Sequence, residues 1–501
     1  MSELFQKLQP HLDRYYAFSA AATLFSWDNE TVAPKAAIEN TSRAIGILSG
    51  ELYEALINVE VKQLLAKLST EEEQARLSFQ EKAIVKNLRK QYRQLQAIPP
   101  QEYQEFAALT AQAFPVWEKA KQENDYASYA PVLEKIIDYT RRFASYRQKK
   151  DQKLYDVQLE DYEEGFTVEI LDDFFAKLKA ALAPLVQKIR EKSDTISTDC
   201  LCKNYDIDTQ RRVCRDVAEY IGFDFNRGVM GESAHPFTTE LHNHDVRITN
   251  HYLEHQLDSA IFSVIHEGGH ALYEMDIDDS ITMTPVGHGT SMGMHESQSR
   301  FYENNLGRSL EFWIPLYGKL QDAYPNALGN VTLDEFYRAI NHAEPSLIRT
   351  EADELTYPFH IMIRYEIEKL IFDGKVTVDE LPNLWNRKYQ EYLGITSEND
   401  SVGILQDMHW SGGSFGYFPS YALGSAIAAQ IYHHLETIMP LKEYLKAGNL
   451  KPIQAYLKEH IHRFGETKNT QELLKDMTGE GFNPDYYVTY LTEKYSALYG
   501  L

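Results

Sequence analysis

The stretch Asp258-Ser259-Ala260-Ile261-Phe262-Ser263-Val264-Ile265-His266-Glu267-Gly268-Gly269-His270-Ala271-Leu272-Tyr273-Glu274 decides how the rest of the chain is read. It is an apolar run without Pro, entered after Asp258 and Ser259, and it predicts a buried helix. On a helix, residues four apart share a face, so His266 and His270 can hold one metal ion. Glu267 is turned around the helix from both, within reach of a water at that ion without being a ligand. Two glycines inside a helix cost about 1 kcal/mol each against Ala, so their place between the histidines implies that something packs close to the backbone there.

A catalytic zinc site takes three protein ligands and keeps the fourth position for water. Of the 17 His in the chain, nine fall between His235 and His295, which concentrates metal-binding chemistry in one region. Glu296, 26 residues after His270, lies in Met294-His295-Glu296-Ser297-Gln298-Ser299-Arg300, a stretch of helical character that ends near Gly307. It is the first candidate for the third ligand. His288 and His295 compete for the role.

The chain has 501 residues, more than a typical single core, so one large helical domain and two lobes around a cleft are both open. A net charge of −24 argues against nucleic acid and anionic membranes as partners, because both need basic patches. Cys200, Cys202 and Cys214 are too few and too close for a disulfide framework, and no nearby His completes a zinc knuckle. Reduced, partly buried thiols are expected. Met1 to Ala22 mixes Glu3, Lys7, Asp13 and Arg14 with its apolar residues, and no later stretch approaches 18 apolar residues. The expectation is a soluble, cytoplasmic protein.

From Ser2 to about Lys192 the pattern is helix after helix, with capping boxes at Thr70-Glu71-Glu72-Glu73, ahead of a segment ending before Pro99-Pro100, and a further start at Thr167. A short helix introduced by Asp206 or Asp208 ends at Gly222. The texture then changes: His235 to Leu241 and Asp245 to Thr249 flank His242-Asn243-His244, a β-prone pair with a polar turn. Such a hairpin can offer its backbone to an extended peptide. Capping boxes at Thr332 and Thr377 mark further helices, with a long segment from Ile348 to Gly374 between them. Gly403 to Tyr421, dense in Gly and aromatics, is expected to be an ordered loop facing a site, after which Ser420 caps a closing helix. Without repeats or a linker-like break, residues 1–501 are expected to form one catalytic unit, with 1–200 as helical scaffold and groove wall and 201–501 as the metal- and substrate-binding part.

With these pieces in order the chain resembles the carboxypeptidase Taq family, metallocarboxypeptidases of the neurolysin-like, gluzincin type. The matching motifs are His235-Pro236-Phe237, Asp245-Val246-Arg247-Ile248-Thr249, the His266 to His270 element, His295-Glu296-Ser297-Gln298, Ile348-Arg349-Thr350-Glu351-Ala352-Asp353 and Gly403-Ile404-Leu405-Gln406-Asp407-Met408-His409-Trp410. They occur in family order, whereas the first 200 residues match only in helical character. The resemblance implies a mainly α-helical protein with a deep substrate groove, one zinc or cobalt ion per chain and a homodimer. It also implies release of single C-terminal amino acids with broad side-chain tolerance and a poor rate at Pro.

In metal-assisted peptide hydrolysis, Glu267 takes the proton of the attacking water and returns it to the leaving amine. His409 and Tyr421 are candidate donors to the oxyanion, their alternative being aromatic packing beside Trp410 and Phe418. A carboxypeptidase must also bind the free terminus, and a guanidinium does so bidentately at any working pH. Arg349 is the first choice and Arg247 the second. The alternative for each is an internal salt bridge, with Asp353 and Asp245 respectively. His235 is either a substrate-positioning group or a buried structural imidazole. Two rival functions remain: a zinc oligopeptidase cutting internal bonds, and a helical peptide-binding scaffold with a structural metal. A structural site is normally closed by four ligands, often Cys, and none of the cysteines lies near the histidines.

Overall fold

The computed structural model describes residues 2–501, which are predominantly helical with one three-stranded sheet. The chain divides into two compact units, one of Met1–Arg93, Thr198–Ile340 and Ile431–Gly481, the other of Gln94–Ser197, Asn341–Gln430 and Phe482–Leu501. Among the described residues no helix is long and apolar enough to cross a membrane.

In the first unit, Ser2 caps the helix Glu3–Thr31 by accepting from the Phe5 N–H at 3.1 Å, and that helix packs along Ile38–Leu56. Phe5, Leu8, Leu12, Leu64 and Leu68 build a core that also takes in Ile277, Ile281 and Val286, which fixes the loop after the histidine helix. Thr70 caps a helix as expected, but it stops at Gln74, and the segment does not run unbroken to Pro99. A second reciprocal cap ends it. The Ser78 N–H donates to Glu81 Oε2 at 2.8 Å while the Glu81 N–H donates to Ser78 Oγ at 3.2 Å, starting Phe79–Ala97 afresh.

Asp206 caps Ile207–Ile221, which Gly222 ends at φ 111°, a conformation that suits glycine. The expected hairpin is present as β2 (Thr238–His242) antiparallel to β3 (Asp245–Asn250). A strand the sequence did not announce, β1 (Gly228–Glu232), pairs parallel to β3 on its other side, so the order is β1-β3-β2 and β2 is an edge. Its glycines are poor strand formers, yet Gly228 is needed: a Cβ there would meet the Val246 carbonyl oxygen at 2.5 Å.

The histidine helix runs Leu257–Met275, one residue ahead of the Asp258-Ser259 start expected, and packs on Ile207–Ile221, β2, β3 and the helix Met292–Arg300. The implied close approach is there. A Cβ on Gly269 would lie 2.7 Å from both the Gln298 carbonyl oxygen and Ser299 Cα, whereas one on Gly268 would meet only the tip of the Ile221 side chain. Met292–Arg300, capped by Ser291, widens into a π-helical turn, Phe301–Leu306, before Gly307.

In the second unit the segment from Ile348 to Gly374 is not one helix. A 3-10 turn, Arg349–Glu351, is followed by the helix Tyr357–Phe372. Asp353 separates them, its carboxylate accepting from the N–H groups of Leu355 and Thr356 at 2.9 and 3.0 Å. The last long helix begins at Pro419, so Ser420 lies inside its first turn rather than capping it. The Gly-rich loop before it is ordered as expected: Tyr155 Oη, Trp410 Nε1 and the Gly416 N–H all donate to the buried Glu368 carboxylate. The three cysteines are free, and burial pushes the Cys214 thiol up to about 12.

Candidate active site

Within the first unit, the i, i+4 spacing of His266 and His270 on one rigid helix sets the two imidazoles side by side, and the close packing at Gly269 brings Glu296 from the neighbouring helix toward them. One ligand atom from each of the three lies within 4.8 Å of the others. Glu296 Oε2 is 3.6 Å from His266 Nε2 and 3.4 Å from His270 Nε2. These separations fit an ion: two ligands at tetrahedral angles, each bound at about 2.05 Å, stand about 3.4 Å apart. The set of two imidazoles and one carboxylate is that of an open hydrolytic site. His288 and His295, the rivals for third ligand, lie outside this cluster.

Both histidines are braced at their other nitrogen. His266 Nδ1 faces Glu303 Oε2 at 2.8 Å, and Glu303 is itself held by Arg300 at 3.0 Å. His270 Nδ1 faces His295 Nδ1 at 2.6 Å, and His295 Nε2 faces Glu274 Oε1 at 2.7 Å. Ligation through Nε2 requires each Nδ1 to carry the proton, so His266 donates to Glu303, and His270 donates to His295, which donates to Glu274. Burial opposes the charge on Glu296, but Arg300 and the two imidazoles outweigh it and hold the carboxyl well below its usual range. Burial likewise works against Glu303, and Arg300 with His266 brings it down to about 2. Burial pushes His270 down to about 3, reinforced by His295 and His266, which keeps it neutral.

Glu267 lies beside the cluster, its Oε2 accepting from Thr238 Oγ1 at 2.6 Å. Burial raises its pKa, which strengthens it as a base. Thr238 went unread; the signal was the alternation along β2, which turns residues 238 and 240 to one face. Glu303 went unread too, although it follows Glu296 by seven residues along the segment expected to be helical.

Arg247 takes the alternative reading, with Nε and Nη2 each 2.8 Å from an oxygen of Asp245. His235 is exposed rather than buried.

Within the second unit, Arg349, His409 and Tyr421 come together. His409 Nε2 is 3.1 Å from Tyr421 Oη, and the Arg349 guanidinium stands 4.8 Å from the centre of the Tyr421 ring. His409 also packs 4.4 Å from the Phe418 ring, and burial lowers it to about 4, so it is neutral. The partner of Arg349 is Asp407, not Asp353: Arg349 Nε donates to Asp407 Oδ1 at 2.9 Å and Arg364 Nε to Oδ2 at 2.7 Å. Asp353 is spent on the backbone cap described above. A buried acid in a low-charge loop should have signalled a cationic partner, but Arg364, 43 residues away, carried no local mark.

The sequence matches the carboxypeptidase Taq (M32) metallopeptidase family over residues 7–495. It is 43% identical over 489 residues to carboxypeptidase 1 of Bacillus subtilis (strain 168), covering 97% of each chain. Thermostable carboxypeptidase 1 of Pyrococcus furiosus is 37% identical over 503 residues, covering 99% of this chain and all of the relative. Among solved structures, the M32 carboxypeptidase from Deinococcus radiodurans R1 superposes with a TM-score of 0.95 at 34% identity over the full length of both. Built on a His-His-Glu cluster and matched from end to end, the chain belongs to the carboxypeptidase Taq (M32) family and is a metallocarboxypeptidase, a peptide hydrolase.

Proposed function

We propose that the protein removes single C-terminal amino acids from peptides with broad side-chain tolerance and works poorly when the terminal residue is Pro. The observation that carries the hydrolytic part is the convergence of His266, His270 and Glu296 beside a buried, hydrogen-bonded Glu267. These three hold a zinc ion, or cobalt, one per chain. Such an ion, when bound, supplies the Lewis acidity that acidifies an attacking water and polarises the scissile carbonyl. Glu267 takes the water's proton on a carboxylate oxygen and delivers it to the nitrogen of the leaving amine. His409, neutral, and Tyr421 donate hydrogen bonds to the developing oxyanion.

Arg349 binds the terminal carboxylate of the substrate. Its support is its guanidinium, fixed in place by Asp407, together with its position in the family motif. Arg247 stands second because Asp245 already occupies it, and His235, being exposed, is free to position substrate. Residues 1–501 work as one catalytic unit. The protein acts in the cytoplasm as a homodimer; the three free cysteines support the first, and the family resemblance alone supports the second.

The test is digestion of a free-acid peptide beside its C-terminal amide, with and without added zinc. Release of the last residue from the acid alone supports the reading. Equal cleavage of the amide, or internal products, would replace it with an oligopeptidase, and no cleavage of either would leave the peptide-binding scaffold.

A further inference from the structure

A cavity of about 140 Å³ lies in the first unit, between the edge strand β2 and the helix Glu3–Thr31. That volume suits the end of one side chain and not a ligand of drug size. Glu240, Tyr15, Tyr16, Gln91, Met283 and His288 are among its lining residues, and neither Lys nor Arg is. Among the described residues, no other side chain hydrogen-bonds to or ion-pairs with the Glu240 carboxylate; its own backbone N–H is the donor it meets. Burial, and then the charge of Glu274, pushes this carboxyl up to about 7 against the opposing pull of His295 and His288. His288, on the same cavity wall, is drawn first to Glu466, 3.9 Å away, and then to Glu274 before Glu240, and it makes no hydrogen bond to the Glu240 carboxylate.

The cavity is one strand step from the candidate catalytic centre. Thr238, which holds Glu267, and Glu240 share a face of β2 and are about 7 Å apart along it. A carboxypeptidase substrate has one residue on the released side of the scissile bond, and that residue carries a carboxylate. An acidic cavity without Lys or Arg would repel that group, so it faces the other part of the substrate. We propose that the cavity is a subsite for a positively charged group on the amino side of the scissile bond, held by Glu240 with the two tyrosine rings beside it. A Lys or Arg side chain and the α-ammonium of a short peptide share this chemistry. The inference rests on the carboxypeptidase reading above.

The test measures kcat/KM for release of Phe from Ac-Ala-Ala-Phe, Ac-Ala-Lys-Phe, Ac-Lys-Ala-Phe and unacetylated Ala-Ala-Phe. At least one cationic peptide is expected to exceed Ac-Ala-Ala-Phe by about tenfold, as a charge-assisted contact in a partly buried site would give. Which peptide gains identifies a side chain or the α-ammonium as the source. Glu240→Gln, nearly isosteric, should bring that ratio to within about twofold of one; Glu240→Ala is the second variant. A ratio near one in the wild type, or a preference that survives in a folded Glu240 variant, overturns the subsite while Phe release still supports the parent reading. Failure to release Phe from any of the four overturns the parent reading, and the subsite with it.

Discussion

His266 presents Nδ1 to Glu303 Oε2 at 2.8 Å while its Nε2 turns to Glu296, so one imidazole is fixed from both sides. A carboxylate behind a ligating histidine orients the ring and raises its basicity, and losing it typically costs about 10- to 100-fold in metal affinity. Glu303→Gln is therefore expected to weaken zinc binding by that amount, measured by competition with a chromogenic chelator. Unchanged affinity would show that Glu303 only pairs with Arg300 and Arg308.

The two carboxylates given different roles, Glu296 as ligand and Glu267 as base, should separate by variant. Glu296→Gln removes one donor of the cluster and should lower both bound metal and activity, whereas Glu267→Gln should abolish turnover with metal near one per chain. Elemental analysis of the purified variants decides it. Stoichiometric metal in the Glu296 variant would sink that ligand.

Arg349 is expected to carry the preference for a free carboxylate. Losing a charge-assisted contact with the substrate anion costs on the order of 2–5 kcal/mol, roughly 30-fold to several thousandfold in kcat/KM. Arg349→Ala should thus collapse the ratio between acid and amide peptides, and Arg349→Lys should restore little, since an ammonium lacks the planar fork. If the ratio survives in a folded variant, Arg247 is the next residue to change.

Gly269→Ala and Gly268→Ala form a matched pair. At position 269 the new methyl strikes the backbone of residues 298 and 299, and the strain should cost about 1–3 kcal/mol and move Glu296 relative to the histidines. At position 268 the Ile221 tip can rotate away, and the gain in helix propensity offsets most of the contact. Thermal melts and metal content of both variants test this; equal effects would contradict it.

Burial pushes Glu368 up to about 7, so the folded state holds a proton that the unfolded chain releases nearer 4.5. A raised carboxyl gives stability that is full below the unfolded value and is lost as pH rises through the folded one. Its upper bound is about 3 kcal/mol. Glu368→Gln cannot titrate, so its melting temperature should change less between pH 5 and pH 8 than that of the wild type, although the amide disturbs Trp410 and Gly416. A parallel pH dependence in both would remove Glu368 as the source.

The parts legible in sequence were those written in local periodicity. His266 and His270 followed from spacing alone, the caps at Thr167, Asp206, Thr332 and Thr377 from side chains three residues from the group they serve, and the β2–β3 hairpin from alternation. What escaped was nonlocal or ran against propensity. Asp407 joins Arg349 and Arg364 across 58 and 43 residues, and nothing near any of the three announces the others. β1 opens on Gly228 because the Val246 carbonyl leaves no room there for a side chain, so the packing that creates the strand also hides it. Ser78 and Glu81 form a second local signature, masked by the stronger start at Thr70 eight residues earlier.

The π-helical turn at Phe301–Leu306 amounts to a one-residue insertion tolerated in mid-helix. A residue in an ordinary α-helix advances about 100°, so removing one residue ahead of Glu303 would straighten the coil and swing that carboxylate away from His266. Local regularity and support of the histidine are therefore in conflict here. A redesign that idealises this helix should yield a sturdier protein that loses its metal more readily.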